Sequence, residues 1–194
     1  MSRPTIKTDH SYFEEKVKIR MEGLPDKNPV KVLDMFSGNG QLWAEIEKRT
    51  GREILVLRID RQRGKAGTYL VGDNRKFNFD FSEFDIVDLD AYGVPFPQME
   101  RILTSEKKPR VLFITFIQSI WGVLPRKMLN ALGYMDAMIK KVPTLFYRNG
   151  QEKLFQYLAT RGIRKIKVYF TPDKRKNYLY IFKMINENIS SSPC

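Results

Sequence analysis

The chain has 194 residues, enough for one domain with a sizeable core, and its 42% apolar and 12% aromatic content excludes wholesale disorder. Its apolar runs are strand-sized, which excludes a membrane span, and Arg3 and Lys7 are followed by no apolar stretch, so no secretory signal is read. Thirty-four Lys and Arg against 22 Asp and Glu give a net charge of +12, a balance that favours a polyanionic partner because neutralised phosphates release condensed counterions. Cys194 is the one cysteine, which excludes an internal disulfide framework and suits a reducing, cytoplasmic compartment.

Residues 1–28 are polar, with a weak helical stripe (Tyr12, Phe13, Val17, Ile19), and read as an N-terminal extension with one helix. A first strand is expected over about 31–36, a helix over about 40–50 ended by Gly51, and a second strand over 54–60. Arg61-Gln62-Arg63-Gly64-Lys65-Ala66-Gly67 follows as a basic loop. A third strand covers 68–71, residues 73–84 read as a short helix or irregular piece, and a fourth strand covers 85–90. A helix over roughly 97–107 precedes a fifth, almost wholly apolar strand over 110–117, as expected of a strand covered on both faces. Helices fit at about 124–131, 134–141 and 151–161. Two closing strands, 165–171 and 177–184, flank the turn Thr171-Pro172-Asp173-Lys174-Arg175-Lys176 and read as an antiparallel hairpin. Strands alternating with helices indicate an α/β three-layer sandwich spanning 29–185, with 186–194 as a tail.

The chemistry concentrates at the ends of these strands. Asp34-Met35-Phe36-Ser37-Gly38-Asn39-Gly40 is a strand–turn–helix junction with its backbone bared at two glycines, the form in which α/β proteins receive nucleotide-like cofactors. Asp60 ends the next strand, placed to accept from ribose hydroxyls. A dinucleotide fingerprint needs a third glycine where Trp43 stands, and Asp34 before the turn suits an ammonium group better than a pyrophosphate. A ligand with an amino group, a ribose and an adenine but no phosphate fits this pattern.

On these residues the chain resembles the class I S-adenosylmethionine-dependent methyltransferases over roughly residues 30–184. Asp34 to Gly40 is similar to the family's first motif, Asp60 to its ribose-binding acid, and Gly72-Asp73-Asn74 to its adenine-contacting segment. The resemblance implies a Rossmann-like, mostly parallel seven-stranded sheet with its last strand antiparallel. It also implies S-adenosyl-L-methionine as cofactor, held by Asp34, Phe36, Gly38, Gly40, Asp60, Arg61, Asp73, Asn74 and Asp90. Asp88-Leu89-Asp90-Ala91-Tyr92-Gly93 sits at the family's catalytic position. It is similar to the D-P-F-G form of transfer-RNA guanine-N2 methyltransferases, with Ala91 for proline and Tyr92 for phenylalanine.

An exocyclic amine is a poor nucleophile because its lone pair is delocalised into the ring. A carboxylate accepting its N–H and an aromatic face stacking on the base both favour transfer. Asp90 is therefore expected to accept from the amine, with Asp88 as a second catalytic candidate. Tyr92 is expected to stack on the base, Pro95, Phe96 and Trp121 to wall the pocket, and Arg63 and Lys65 to meet RNA or DNA. Pro193-Cys194 lies too near the chain end for cytosine-C5 chemistry, Gln118 and Ser119 replace the lysine of ribose methylation, and His10 with one cysteine makes a zinc site improbable. Target specificity is expected from residues 1–28, from 118–164, or from a second subunit or copy. The alternatives are a small-molecule or protein methyltransferase, or a non-catalytic binding subunit.

Overall fold

The computed structural model describes residues 12–61, 69–117, 124–142 and 149–171, together with the backbone of 176–182. Among the described residues seven strands form one sheet in the order β3-β2-β1-β4-β5-β7-β6. β1 (Val30–Asp34), β2 (Ile54–Asp60), β3 (Tyr69–Val71), β4 (Ile86–Leu89) and β5 (Val111–Ile117) pair in parallel. β7 (Lys176–Phe182) pairs antiparallel with both β5 and β6 (Ile166–Phe170).

Each face of the sheet has its own core. Val30 and Val32 of β1, with Phe113 of β5, pack beneath α1 (Phe13–Glu22) and α2 (Gln41–Thr50), which add Val17, Trp43 and Ile46. Leu33 and Met35 project to the other face, under α3 (Phe96–Thr104), α4 (Arg126–Ala131), α5 (Asp136–Lys141) and α6 (Gly150–Thr160). This alternation is the two-residue period of a strand covered on both sides.

Most boundaries fall within two residues of expectation. α3 stops three residues early because the Ser105 hydroxyl exchanges hydrogen bonds with the Lys107 main chain and closes a turn in place of further helix. Residues 73–84 hold two single 3-10 turns, Asn74–Lys76 and Phe81–Glu83. Each is started by an aspartate, Asp73 or Asp80, whose carboxylate accepts from a main-chain N–H two residues on. Among the described residues no helix is long and apolar enough to cross a membrane.

Candidate functional site

The C-terminal ends of five parallel strands lie along one edge, and the strand order reverses between β1 and β4. Ligands of open α/β sheets bind in the crevice that such a reversal opens. A cavity of about 550 Å³ lies there, lined by the turns that follow β1, β2, β3 and β4, by Ile117 of β5, and by Phe13 and Lys16 of α1.

The β1–α2 turn supplies one wall. Gly38 and Gly40 have φ of 51° and 75°, a region that costs any side chain free energy. A Cβ on Gly38 would meet nothing within 4 Å, so its main chain is bared, whereas one on Gly40 would lie 2.8 Å from the Tyr69 hydroxyl. Asp60 reaches across from β2 and accepts from the Gly38 N–H at 2.9 Å. Asp73 and Arg61 line the same side. The Arg75 guanidinium and N–H hold the Asp73 carboxyl well below the usual carboxylate range.

The opposite wall comes from the loop after β4. Asp90 accepts from Lys16 Nζ at 2.9 Å and from Thr115 Oγ1 at 2.5 Å. Burial pushes its carboxyl up, but the Arg20 and Lys16 cations outweigh burial and hold it below its ordinary value. Tyr92 stands at the mouth, 88% exposed, before Val94 and Pro95 on the wall.

Three expected site residues lie elsewhere than the sequence suggested. Asp88 does not face the cavity: it is fully buried and accepts from Arg20 Nε and Nη2, both at 2.7 Å, and from Trp43 Nε1 at 3.0 Å. Phe96 is turned into the core, edge-on to Tyr157, because it opens α3 on its buried face; Pro95 and Pro97 beside it line the cavity instead. Asp34 sits beneath the glycine turn, accepting from the Phe36 N–H and the Ser37 hydroxyl, and so shapes the turn from below. Burial, and then the charge of Asp88, push its carboxyl up to about 7.

Asn74 lines the cavity, but its side-chain amide is committed. It donates to the Met35 carbonyl at 2.6 Å and accepts from Gln98 at 2.6 Å, tying the turn after β1 to α3. Phe36 is on the wall as expected. Arg63, Lys65, Trp121 and the turn 172–175 lie outside the described residues. Among the described residues no group of three or more His, Cys, Asp or Glu could hold a metal ion.

Sequence reasoning missed Lys16 and Arg20. Arg20 is fully buried, grips Asp88, lies 3.8 Å from Asp90, and stacks over the Phe113 ring. Burial works against its charge, but Asp88 and Asp90 hold its pKa above the ordinary range. The sequence signal was faint: two cations four apart, on a segment whose apolar stripe is weak.

No family model matches the chain. A tRNA (guanine(26)-N(2))-dimethyltransferase of Thermoplasma acidophilum is 26% identical over 143 residues, 68% of this chain and 40% of that protein. A phosphoethanolamine N-methyltransferase 2 of Haemonchus contortus, solved with S-adenosyl-L-methionine, superposes with a TM-score of 0.55 at 13% identity, over 88% of this chain and 52% of that one. The small RNA methyltransferase HEN1 gives 0.55 at 11% identity, over 95% and 27%. The plantazolicin methyltransferase BpumL, solved with a monoazolic desmethylPZN analogue and S-adenosylhomocysteine, gives 0.52 at 13% identity, over 89% and 83%. The chain thus spans about two-fifths of the curated relative and about half of the first of these structures. Strand order, the cavity at the β1–β4 reversal and these superpositions agree: the chain has the fold of the class I S-adenosylmethionine-dependent methyltransferases.

Proposed function

We propose that this chain is an S-adenosylmethionine-dependent methyltransferase acting on an exocyclic amine of a base in RNA or DNA. One observation carries the reading. A single cavity joins a bared glycine turn and the carboxylates of Asp60 and Asp73 on one side to a charged carboxylate and an exposed aromatic ring on the other.

The cofactor half fits the group. The open space at Gly38 leaves room against the main chain, Asp60 and Asp73 offer acceptors to hydroxyl and amino groups, and Phe36 adds an apolar surface. A pyrophosphate fits poorly, because the carboxylates of Asp60, Asp73 and Asp90 offset the cations that line the cavity, Lys16, Arg61 and Arg75, and Lys16 and Arg75 are paired with Asp90 and Asp73. S-adenosylmethionine, when bound, supplies an electrophilic methyl group on a sulfonium sulfur.

The residues of the other half act on the acceptor. Asp90, ionised, accepts the amine N–H and directs the nitrogen lone pair out of conjugation; Tyr92 offers its ring to the base face; Val94 and Pro95 exclude water. The net charge of +12 and the likeness to a transfer-RNA guanine-N2 enzyme support a nucleic-acid acceptor.

The test is transfer of labelled methyl to unmodified transfer RNA, other RNA and duplex DNA, with the modified nucleoside identified after digestion. The reading predicts label in an N-methylated base, lost in Asp90→Ala and reduced in Tyr92→Ala. Label confined to small molecules or protein, or undiminished turnover in Asp90→Ala, contradicts it.

A further inference from the structure

A charge cluster that reaches the cavity wall through Lys16 and Asp90 is assembled from four elements and one loop. Asp34 comes from β1, Asp88 from the end of β4, Asp90 from the loop beyond it, Thr115 from β5, and both cations, Lys16 and Arg20, from α1. One turn of helix separates the two cations, so they share a face, and the Lys16 carbonyl also accepts from Arg20 Nη1 at 3.3 Å. Arg20 is spent on Asp88, which it grips through both oxygens, and reaches Asp90 only at 3.8 Å. Lys16 bonds Asp90 directly, and the side chains of the pair are each 16% exposed. In so dry a setting a carboxylate without a partner takes up a proton, and a protonated acid would donate toward an amine rather than accept from it.

We propose that Lys16 is a positioning residue, whose ammonium, backed by Arg20, fixes the orientation and the charge of the Asp90 carboxylate at the cavity wall. The inference rests on the role given to Asp90 above and assigns α1 to the acceptor half of the site. Thr115 holds one Asp90 oxygen from the sheet and Lys16 holds the other from the helix, so the carboxylate plane is set from two sides. The acids facing it, Asp88 and Asp34, oppose its ionisation, and Arg20 and Lys16 favour it. Without Lys16 the cluster among the described residues holds three carboxylates against the single guanidinium of Arg20.

The experiment compares wild type, Lys16→Met and Lys16→Arg by two readouts. The first follows the Asp90 carboxyl carbon by NMR against pH, using Asp90→Asn to assign it, and needs no turnover. In Lys16→Met the midpoint is expected to rise by about 1 to 3 pH units, and Lys16→Arg to restore it. The second is the pH profile of methyl transfer. Its acid limb is expected to move up by the same amount, with kcat lowered. Cooperative thermal unfolding of each variant, followed by circular dichroism, shows that it is folded. An Asp90 midpoint in Lys16→Met that coincides with wild type overturns the inference, as does a Lys16→Arg protein whose midpoint is displaced as far as that of Lys16→Met. Failure of the methyltransferase reading shows differently: no nucleic acid is labelled, or Asp90→Asn turns over as wild type. The NMR midpoints still decide the role of Lys16 in that case.

Discussion

The two halves of the cavity are built in opposite ways. The cofactor half is main chain and turn chemistry: two glycines at positive φ, an aspartate capping the turn from the next strand, and a second aspartate starting a 3-10 turn. The acceptor half is a buried ion network in which Arg20, Asp88 and Asp90 depend on one another across 68 residues or more of sequence. The first half is expected to keep much of its shape when one capping carboxylate is lost, because main-chain hydrogen bonds, such as that from the Gly40 N–H to the Ser37 carbonyl, also close its turns. The second is not, because removing one partner leaves a charge stranded in a dry interior.

Substituting the guanidinium probes that contrast most strongly. Among the described residues, Arg20→Leu leaves Asp88 with Trp43 as its side-chain donor, and it is expected to cost about 3 to 5 kcal/mol of stability in urea unfolding. The double variant Arg20→Leu with Asp88→Leu recovers part of that loss, since two apolar groups replace a pair rather than half of one. A single variant as stable as wild type would mean that the network is not the frame of this half.

The next effect is a pH dependence. Asp34 titrates at about 7 in the folded protein and near 3.8 in the unfolded chain, so the folded state binds the extra proton between those values. Stability therefore falls as pH rises from about 4 to about 7, by at most about 1.4 kcal/mol per pH unit, and levels off above. Asp34→Asn is expected to flatten the curve, matching wild type at pH 5 and exceeding it at pH 8. A wild-type stability that rises over this range contradicts the assignment.

The cofactor half responds more gently. Asp60→Ala is expected to weaken S-adenosylmethionine binding by about 10- to 100-fold in calorimetry, with little change in unfolding. The two glycines then separate shape from space. Both alanines bear the left-handed backbone cost of about 1 to 2 kcal/mol. Gly40→Ala also forces Tyr69 and Arg58 aside, whereas Gly38→Ala fills cavity space and lowers affinity beyond its effect on stability. Equal behaviour of the two would remove the distinction.

The same contrast explains what could be read from the sequence. The five parallel strands, the glycine turn and Asp60 were visible because each is written in a short run of residues. Asp88 was misjudged because alternation along β4 cannot say whether a buried acid meets a cation or a cavity, and the cation was on α1. Phe96 and Pro95 are adjacent, and only the helix phase of α3 sends one to the core and the other to the cavity. Residues 13–22 read as part of a polar extension, since Lys16 and Arg20 look like solvent-facing charges until the sheet is folded against them.

Calorimetric titration of the wild-type chain with S-adenosylmethionine, and in parallel with NAD, bears most immediately on the reading of the cavity. Saturable one-to-one binding of S-adenosylmethionine, with no heat from NAD, is the predicted result. Binding of NAD in its place, or of neither ligand with and without RNA present, would contradict it.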